Sequence, residues 1–565
     1  MPRLRLWTSS AAFLAGSLLL VVSACGGNGG KPSATGTPTG GATGATTGSV
    51  QGGTAKFNLQ SDTDYIDPAL AYYTVSWGFE YATCAKLLNY PDKAGADGSQ
   101  LQPEVAASMP QVSNDGKTYT FTIRKGYKFS PPSNEVVDAQ TFKNVIERDL
   151  NPKMASPASS FMSDIEGAQA YLDGKAQSIS GITASGDKLT IRLTDVAPDF
   201  MARIAMPFFC ALPKNAEANP AGLKAPIPSA GPYYIASYEP KRSIVLKKNP
   251  NYKGDRPHNL DSITYTVGVD PTATKLQIEK NQVDWAAAGV PPASNAELGQ
   301  KYGPGSQAAK DGKQQYFVNP ILSFRYLALN TSRPLFSNEK LRQAVNYAID
   351  RRALLTQRGA FAGRATDQYL PPGIPGYKEV NVYPLDRPDM TKAKQLAGSE
   401  NSKAVMYTCN ESPCPESAQI IQNNLKQIGL DVQVQQFERA VQFKKEGTKG
   451  EPFDIAFEGW QADYADPFDF INVLLSGTTI RAANNNNFSY FNDPTWNKKM
   501  TEASQLAGAK RYAAYGQLDQ DLVQGPSPLA AWDNDNERDF FSSRVGCQLF
   551  QPVYGMDIAA LCQRG

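Results

Sequence analysis

The 565-residue chain has a single histidine, His258, and lacks the patterns that catalytic sites usually require. It contains no H-E-x-x-H zinc motif, no G-x-S-x-G nucleophile motif and no Walker phosphate loop. His258 lies in the polar loop D-R-P-H, where an ordinary surface residue is expected. We therefore expect a protein that is not an enzyme and that holds no metal or cofactor.

The chain also lacks a large net charge, because its formal net charge is only +2. There is no basic run, no acidic tail and no short internal repeat, so nothing predicts a nucleic acid partner. After residue 25, no segment approaches the roughly 18 consecutive apolar residues that a membrane-spanning helix needs. We expect no transmembrane helix beyond that point.

The amino terminus has the features of an export signal. Arg3 and Arg5 provide a positive start, residues 11–22 are apolar, and V-S-A-C ends at Cys25. The last four residues resemble the lipobox of bacterial lipoproteins. This resemblance implies that residues 1–24 are a signal peptide and that lipidated Cys25 anchors the protein to the outer face of the cell membrane. An ordinary secretory signal with an incidental cysteine is the alternative.

A long low-complexity stretch follows the cysteine. Residues 26–52 are almost entirely Gly, Ala, Ser, Thr and Pro, a composition that cannot bury a core. We interpret residues 25–52 as a lipidated cysteine and a flexible tether of about 30 Å. The remaining chain of about 510 residues exceeds what one hydrophobic core supports, so two or three lobes are expected.

Six cysteines remain after Cys25, and an even number in an exported chain suggests disulfides. Proximity in sequence favours two pairs and leaves the third: Cys409 with Cys414, Cys547 with Cys562, and Cys84 with Cys210. Sequence alone leaves about 15 connectivities open for six cysteines.

Hydrophobic periodicity predicts the types of the lobes. Alternation over residues 118–124 and 189–193 indicates antiparallel strands, and hence a small lobe over residues 89–207. Residues 337–355 have the spacing of one amphipathic helix. From residue 404 the order is strand 404–407, helix 416–428, strand 430–434 and strand 453–457, which predicts a βαβ unit. We therefore predict an α/β lobe over residues 325–525. The remaining segments, residues 53–88, 208–324 and 526–565, would form the lobe that holds both termini.

Several stretches occur in an order that resembles the dipeptide- and oligopeptide-binding proteins of bacterial ABC importers, extracellular solute-binding family 5. They are Asp-Pro at 67–68, PEVA at 103–106, SNDGKTYTF at 113–121, RKGYKF at 124–129, SAGPYY at 229–234, LALN at 327–330, LRQAVNYAID at 341–350 and GWQADYADP at 459–467. The loop SPPSNE at 130–135 departs from the family pattern, which puts only the shape of that loop in doubt.

The resemblance implies an α/β fold of the periplasmic-binding-protein type II class. That fold is a two-lobed clamp with an additional small α+β lobe and with a hinge near residues 324 and 525. In such a protein, the two lobes close over a short peptide. The other partners would be the permease and ATPase subunits of the importer, the membrane through the lipid anchor, and no other copy, because a monomer is expected.

The resemblance also indicates the binding residues. A peptide brings an ammonium group, and burying that charge requires a carboxylate partner. The acid of the Trp-x-x-Asp pattern maps onto Asp463, whereas Asp466 before Pro467 is interpreted as a turn residue. Trp460 could contact a ligand side chain or could be a core residue. Ala462 and Tyr464 complete the candidate set in this motif.

The other candidates for binding are main-chain groups. The extended backbone of residues 229–234, with Gly231 and Tyr233, would pair with the peptide as an added strand. Arg325 and Arg342 lie near the relevant segments, but neither is assigned to the peptide carboxylate.

Three other interpretations stay open. The site could bind another solute, such as an oligosaccharide or another small molecule, or the protein could sense an extracellular peptide without taking part in uptake. An exported hydrolase is the third possibility. The single histidine argues against the nickel-binding branch of the family, because Ni²⁺ favours imidazole ligands.

Overall fold

The computed structural model describes residues 49–565 apart from Ala288. The predicted signal peptide, Cys25 and nearly all of the tether lie outside these residues. The described residues belong to one compact unit. In the described part, no helix combines the length and the apolar character needed to cross a membrane.

A five-stranded sheet joins segments that are far apart in the sequence. Its strands, in spatial order, are Trp285–Ala286, Thr54–Leu59, Ser262–Val267, Ser243–Lys248 and Tyr233–Glu239. The first three are parallel and the last two pairings are antiparallel. The alternating strand residues Ala55, Phe57 and Leu59 are fully buried in the core of this sheet, which is why a strand near the amino terminus pairs some 208 positions away.

The carboxyl terminus closes against the amino-terminal strand. Ser49–Val50 pairs antiparallel with Cys562–Arg564, which also pairs with Val545–Gly546. Two further short hairpins are formed by Phe550–Gln551 with Gly555–Met556 and by Leu88–Asn89 with Gln102–Pro103.

A four-stranded antiparallel sheet lies within residues 111–192. Its strands, in order, are Gln111–Val112, Thr118–Thr122, Lys188–Arg192 and Ile182–Ser185. The helix Ala139–Asp149 packs beside it and begins at Asp138, whose carboxylate accepts a hydrogen bond from the Thr141 amide. The antiparallel strands predicted here are therefore present, although the strand from Thr118 ends two residues earlier than expected.

The largest sheet has seven strands. In order they are Tyr316–Pro320, Leu529–Phe540, Ser323–Leu329, Ile455–Gln461, Ser402–Cys409 and Leu430–Phe437, and Gly363–Ala365 pairs with Leu529–Phe540. Ser402–Cys409 runs parallel to Leu430–Phe437 across the helix Cys414–Lys426, which confirms the predicted βαβ unit. Leu529–Phe540 continues this sheet past residue 525, and the lobe boundaries themselves stay a prediction.

The single helix predicted for residues 337–355 is wrong in one respect. The structure has two helices, Glu339–Ala348 and Arg351–Gln357. Ile349 is extended, and the Asp350 carboxylate accepts a hydrogen bond from the Ala353 amide at 2.8 Å. A capping acid thus starts a new helix where the apolar spacing alone suggests continuity.

Eight other helices of two turns or more occur among the described residues. They are Thr74–Thr83, Pro271–Glu279, Asn295–Tyr302, Met390–Ala397, Arg439–Glu446, Phe468–Leu475, Pro494–Gln505 and Gly508–Gln524.

Three disulfides confirm the predicted pairing. Cys84–Cys210, Cys409–Cys414 and Cys547–Cys562 have Cα–Cα distances of 5.1, 5.6 and 5.4 Å. The first joins the end of the helix Thr74–Thr83 to a position 126 residues later. The second closes the turn between a strand and a helix of the βαβ unit.

Candidate functional site

Asp463 lies in the loop between the strand Ile455–Gln461 and the helix Phe468–Leu475, and only 6% of it is exposed. Its Oδ2 atom accepts a hydrogen bond from the Tyr72 hydroxyl at 2.7 Å. These two residues are 391 positions apart in the chain. The acid that the sequence singles out is therefore buried where two distant segments meet.

A second carboxyl group lies beside Asp463. Asp469 is fully buried, and its Oδ2 atom accepts hydrogen bonds from the Asp463 amide at 2.9 Å and from Trp460 Nε1 at 3.2 Å. Burial raises the pKa of Asp463 to about 7. Burial, followed by the nearby charge of Asp463, raises the pKa of Asp469 well above its ordinary value.

No cation balances the two acids. Neither Asp463 nor Asp469 forms an ion pair with a lysine or arginine in the part of the chain that the structure describes. The two side chains lie within hydrogen-bonding reach of each other, which favours a shared proton when no cation is bound. Without that proton, the pair would carry negative charge that no cation among the described residues neutralises.

Aromatic rings surround Tyr72 beside Asp463. Its ring centroid lies 5.6 Å from that of Trp77, 5.3 Å from that of Phe208 and 6.3 Å from that of Trp460. The Asn486 side-chain amide donates a hydrogen bond to the Tyr72 hydroxyl at 3.3 Å. We call Tyr72, Trp460, Asp463, Asp469 and Asn486 the Asp463 site.

Trp460 is half-buried, and its indole N–H is used within the protein by Asp469. Its ring stands edge-on to Tyr72. This arrangement holds the ring beside Asp463 instead of deep in the sheet. A contact between Trp460 and a ligand stays a prediction.

The neighbours of Asp463 in the motif have internal partners. The Ala462 amide donates to the Leu322 carbonyl at 2.8 Å, and Ala462 is buried. The Tyr464 hydroxyl donates to Asp199 Oδ2 at 3.1 Å. Tyr464 therefore links the segment predicted as the large α/β lobe to the segment predicted as the small lobe.

Asp466 behaves as the turn residue that the sequence predicts. Its Oδ1 atom accepts a hydrogen bond from the Phe468 amide at 2.8 Å, and its carboxylate pairs with Arg511 at 2.8 Å. Asp466 thus stabilises the start of the helix that carries Asp469.

The expectation for residues 229–234 needs correction. The Ser229 and Gly231 carbonyls accept hydrogen bonds from the Asn249 side chain, and the Tyr233 hydroxyl donates to the Leu260 carbonyl. A Cβ atom on Gly231 would lie 2.2 Å from the Thr83 carbonyl oxygen, so the glycine permits close approach of the chain to itself. Because these groups are already engaged, the structure does not support Gly231 and Tyr233 as ligand contacts.

Neither arginine considered at the outset faces the Asp463 site as a free cation. Arg342 donates to the carbonyls of Pro526 and Phe336, at 2.5 and 2.7 Å, and is buried. Arg325 pairs with Asp535 at 2.8 Å. Tyr72, Asp469 and Asn486 were not identified from the sequence. The only available signal for Tyr72 was its position after the Asp-Pro stretch at 67–68.

Comparisons with known proteins agree with this architecture. The family model of bacterial extracellular solute-binding proteins, family 5 (middle), matches residues 100–482. The periplasmic oligopeptide-binding protein OppA of Escherichia coli K12 is 26% identical over 447 residues, 74% of this chain and 77% of that protein. Heme-binding protein A of Haemophilus influenzae is 28% identical over 461 residues, 76% of this chain and 78% of its own.

Among solved structures, clavulanic acid biosynthesis oligopeptide binding protein 2 superposes with a TM-score of 0.81 at 21% identity, covering 93% of this chain and 99% of that one. This confirms the predicted fold class, a two-lobed α/β clamp of the periplasmic-binding-protein type. The chain belongs to the bacterial extracellular solute-binding proteins of family 5.

Proposed function

We propose that this protein is the solute-binding lipoprotein of an ABC importer and that it binds short peptides between its lobes. The peptide's amino terminus would lie against Asp463 and Asp469. The observation that supports this proposal is the pair of buried carboxyl groups without a cationic partner among the described residues.

The chemistry favours an ammonium group at this position. Two buried carboxyls are costly unless a cation or a proton neutralises them, and a free peptide carries a positive α-amine at neutral pH. Tyr72 and Asn486 supply further polar contacts, and Trp460 supplies apolar surface beside them. Peptide binding is also the function named for E. coli OppA.

Closure of the lobes would enclose the peptide. The Tyr72–Asp463 and Tyr464–Asp199 hydrogen bonds join segments that come from different predicted lobes. In our proposal these contacts form in the closed state, and ligand contacts to both sides favour that state. The closed form is then what the permease recognises before transport driven by the ATPase subunits.

The site of action follows from the amino-terminal sequence and from the family. Family members are extracellular solute-binding proteins, and lipidated Cys25 with the tether of residues 25–52 would hold this protein at the outer face of the membrane as a monomer. Mass spectrometry of the amino-terminal peptide from the native membrane fraction would detect the lipid on Cys25. Detection of an unmodified Cys25 or of an intact signal peptide would contradict the anchor.

The peptide proposal is tested by comparing ligands and variants that differ in one charge. We expect a tripeptide with a free amine to bind, and its N-acetylated form to bind at least about 100-fold more weakly, because removing one partner of a buried ion pair costs roughly 3–5 kcal/mol. Asp463→Asn should cause a similar loss for the free peptide. Affinity is measured by isothermal titration calorimetry.

Asp195→Asn is the matched control, because Asp195 is an exposed acid whose nearest ion-pair partner, Lys117, lies at 3.8 Å. Equal affinity for the free and acetylated peptides would contradict the proposed role of Asp463. Native mass spectrometry of the purified protein would identify a co-purified solute of another class, and incubation with peptides would detect cleavage by a hydrolase. Either result would replace the peptide-binding proposal.

A further inference from the structure

A second pair of buried acids includes Glu458, which lies in the strand that leads to the Asp463 loop. Glu446 ends the helix Arg439–Glu446, and Glu458 lies in the strand Ile455–Gln461. They are 0% and 2% exposed. The Gln442 side-chain amide donates to Oε1 of both, at 3.1 and 2.7 Å. One amide thus holds two carboxyl groups side by side.

An unused hydroxyl faces the same place. Tyr326 is the direct cross-strand neighbour of Glu458, and it is 1% exposed. Its hydroxyl has no hydrogen-bond partner among the described residues. Burial, and then the charges of Glu458 and Glu446, raise the pKa of Tyr326. A buried tyrosine hydroxyl normally finds a partner, so a group is expected here that the protein itself does not supply.

The cations near these acids form no ion pair with them in the described chain. Burial raises the pKa of both glutamates, and the charges of Arg439 and, for Glu458, Arg325 offset only part of that rise. Arg325 is held by Asp535, and Arg439 Nη2 lies 3.4 Å from the Cys409 sulfur. A carboxylate at the carboxyl end of a helix is also unfavourable to the helix dipole, which makes Glu446 a poor choice for stability alone.

The position of the pair connects it to the Asp463 site. Glu458 precedes Trp460 by two residues, so both side chains lie on the same face of the strand. Tyr73, next to Tyr72, lies with its ring 5.6 Å from that of Phe443. Burial, then the charge of Asp64 and to a smaller extent that of Glu458, raise the pKa of Tyr73. Tyr72, which bonds Asp463, and Tyr73, which contacts Phe443 in the helix that ends at Glu446, are thus consecutive residues.

We propose that Gln442, Glu446, Glu458 and Tyr326 form a pocket for a cationic side chain of the ligand, a guanidinium or ammonium group. This inference rests on the proposed function, in which the ligand's amino terminus lies at Asp463. Glu458 and Asp463 are five residues apart, so at most about 18 Å separates their Cα atoms. A tripeptide with an arginine or lysine side chain is long enough to place charges at both pairs.

The test compares side chains that differ in charge but hardly in shape. The probes are Arg-Ala-Ala, Ala-Arg-Ala and Ala-Ala-Arg, each with its citrulline counterpart, and calorimetry gives their affinities for the full mature protein. We expect at least one arginine peptide to bind about tenfold or more tightly than its citrulline form. In the double variant E446Q/E458Q this preference should disappear while the citrulline peptide still binds, which also shows that the variant is folded.

The outcomes separate the two proposals. If no tripeptide binds the unmodified protein, the proposed peptide function fails. If the peptides bind without a preference for arginine, or if the preference survives in E446Q/E458Q, the cationic pocket is overturned and the peptide function stands. Asp463→Asn should weaken both members of each peptide pair by the same factor, because it affects only the amino terminus.

Proton release gives an independent measurement. Burial raises the pKa of both glutamates, and their side chains lie within reach of a shared proton. The charged and titratable groups around them are Arg325, Arg439, Tyr73, Tyr326, Tyr407 and Tyr490. We expect the arginine peptide to release more protons than the citrulline peptide when titrated in buffers of different ionisation enthalpy. Equal release would count against the pocket.

Discussion

If a ligand ammonium binds at the Asp463 site as proposed, it competes with protons for the two buried acids. Asp463 has a pKa raised to about 7 by burial, and Asp469 has a pKa raised further. At a pH below these values the pair holds protons, whereas a bound ammonium requires at least one ionised carboxylate. The proposal therefore predicts that ligand binding at this site depends on pH near neutrality.

We expect the affinity for a free-amine peptide to fall as the pH drops below about 7, by up to roughly tenfold per unit. Above about pH 8 the peptide's own α-amine loses its proton, so affinity has a maximum between these values. Calorimetry from pH 5 to 9 measures this profile. In Asp463→Asn the fall below pH 7 should be much shallower, and an unchanged profile would assign the effect to another group.

The same shift predicts the sign of a stability change. Because the native pKa of Asp463 exceeds the unfolded value of about 3.9, the native state binds more protons than the unfolded state between about pH 4 and 7. The contribution of Asp463 to stability is thus lost as the pH rises through this window. Thermal unfolding of the ligand-free protein should show a smaller decrease from pH 5 to 7.5 in Asp463→Asn than in the parent protein.

Asp463 could be predicted from the sequence because a short local motif carries it. Tyr72 could not, since its partner is 391 positions away and no local pattern specifies that contact. At Gly231 the sequence predicts a close approach of another group to the backbone. That group is the protein's own Thr83 carbonyl and not a ligand. Sequence reasoning can find a residue that permits proximity without identifying what comes close.

Secondary structure elements were predictable where their signals are local. The βαβ unit over residues 402–437 has strong apolar runs and a glycine, Gly429, with φ of +87° after the helix. The apolar spacing continues across residue 349 and therefore predicts one helix. It does not account for Asp350, whose side chain caps a second helix. The parallel pairing of Thr54–Leu59 with Ser262–Val267 has no local signal at all.

Two of the disulfides should differ in their effect on stability because they close loops of different length. Replacing Cys84 and Cys210 by alanine should lower the free energy of unfolding by about 5 kcal/mol, whereas replacing Cys409 and Cys414 should cost about 2 kcal/mol. The sequence separations are 126 and 5 residues. Denaturant unfolding of the two double variants measures the difference, and equal losses would contradict the loop-entropy explanation.

At the scale of the whole molecule, contacts between segments of different predicted lobes should set the balance of open and closed forms. Tyr464→Phe removes the hydroxyl that bonds Asp199 and keeps the buried ring. Hydrogen bonds to charged groups contribute about 1.5–3 kcal/mol, so we expect affinity for every peptide to fall about tenfold or more, without a change in preference.

Small-angle scattering at a subsaturating peptide concentration should show a larger mean radius for Tyr464→Phe than for the parent protein. Tyr512→Phe is the control, because Tyr512 is an exposed tyrosine in the same segment of the chain. An affinity and a radius equal to those of the parent would mean that this hydrogen bond does not contribute to closure.

The strand Ser49–Val50 is held against Cys562–Arg564, and Cys562 is cross-linked to Cys547. If the proposed tether pulls on residue 49, the force would pass first to the strand Cys562–Arg564. From there it would pass to the loop that the Cys547–Cys562 disulfide closes. The paired strands Ser49–Val50 and Cys562–Arg564 would both bear this force. Deleting residues 562–565 would remove the partner strand of Ser49–Val50, and we expect the Asp463 site, which is built from other segments, to keep its structure.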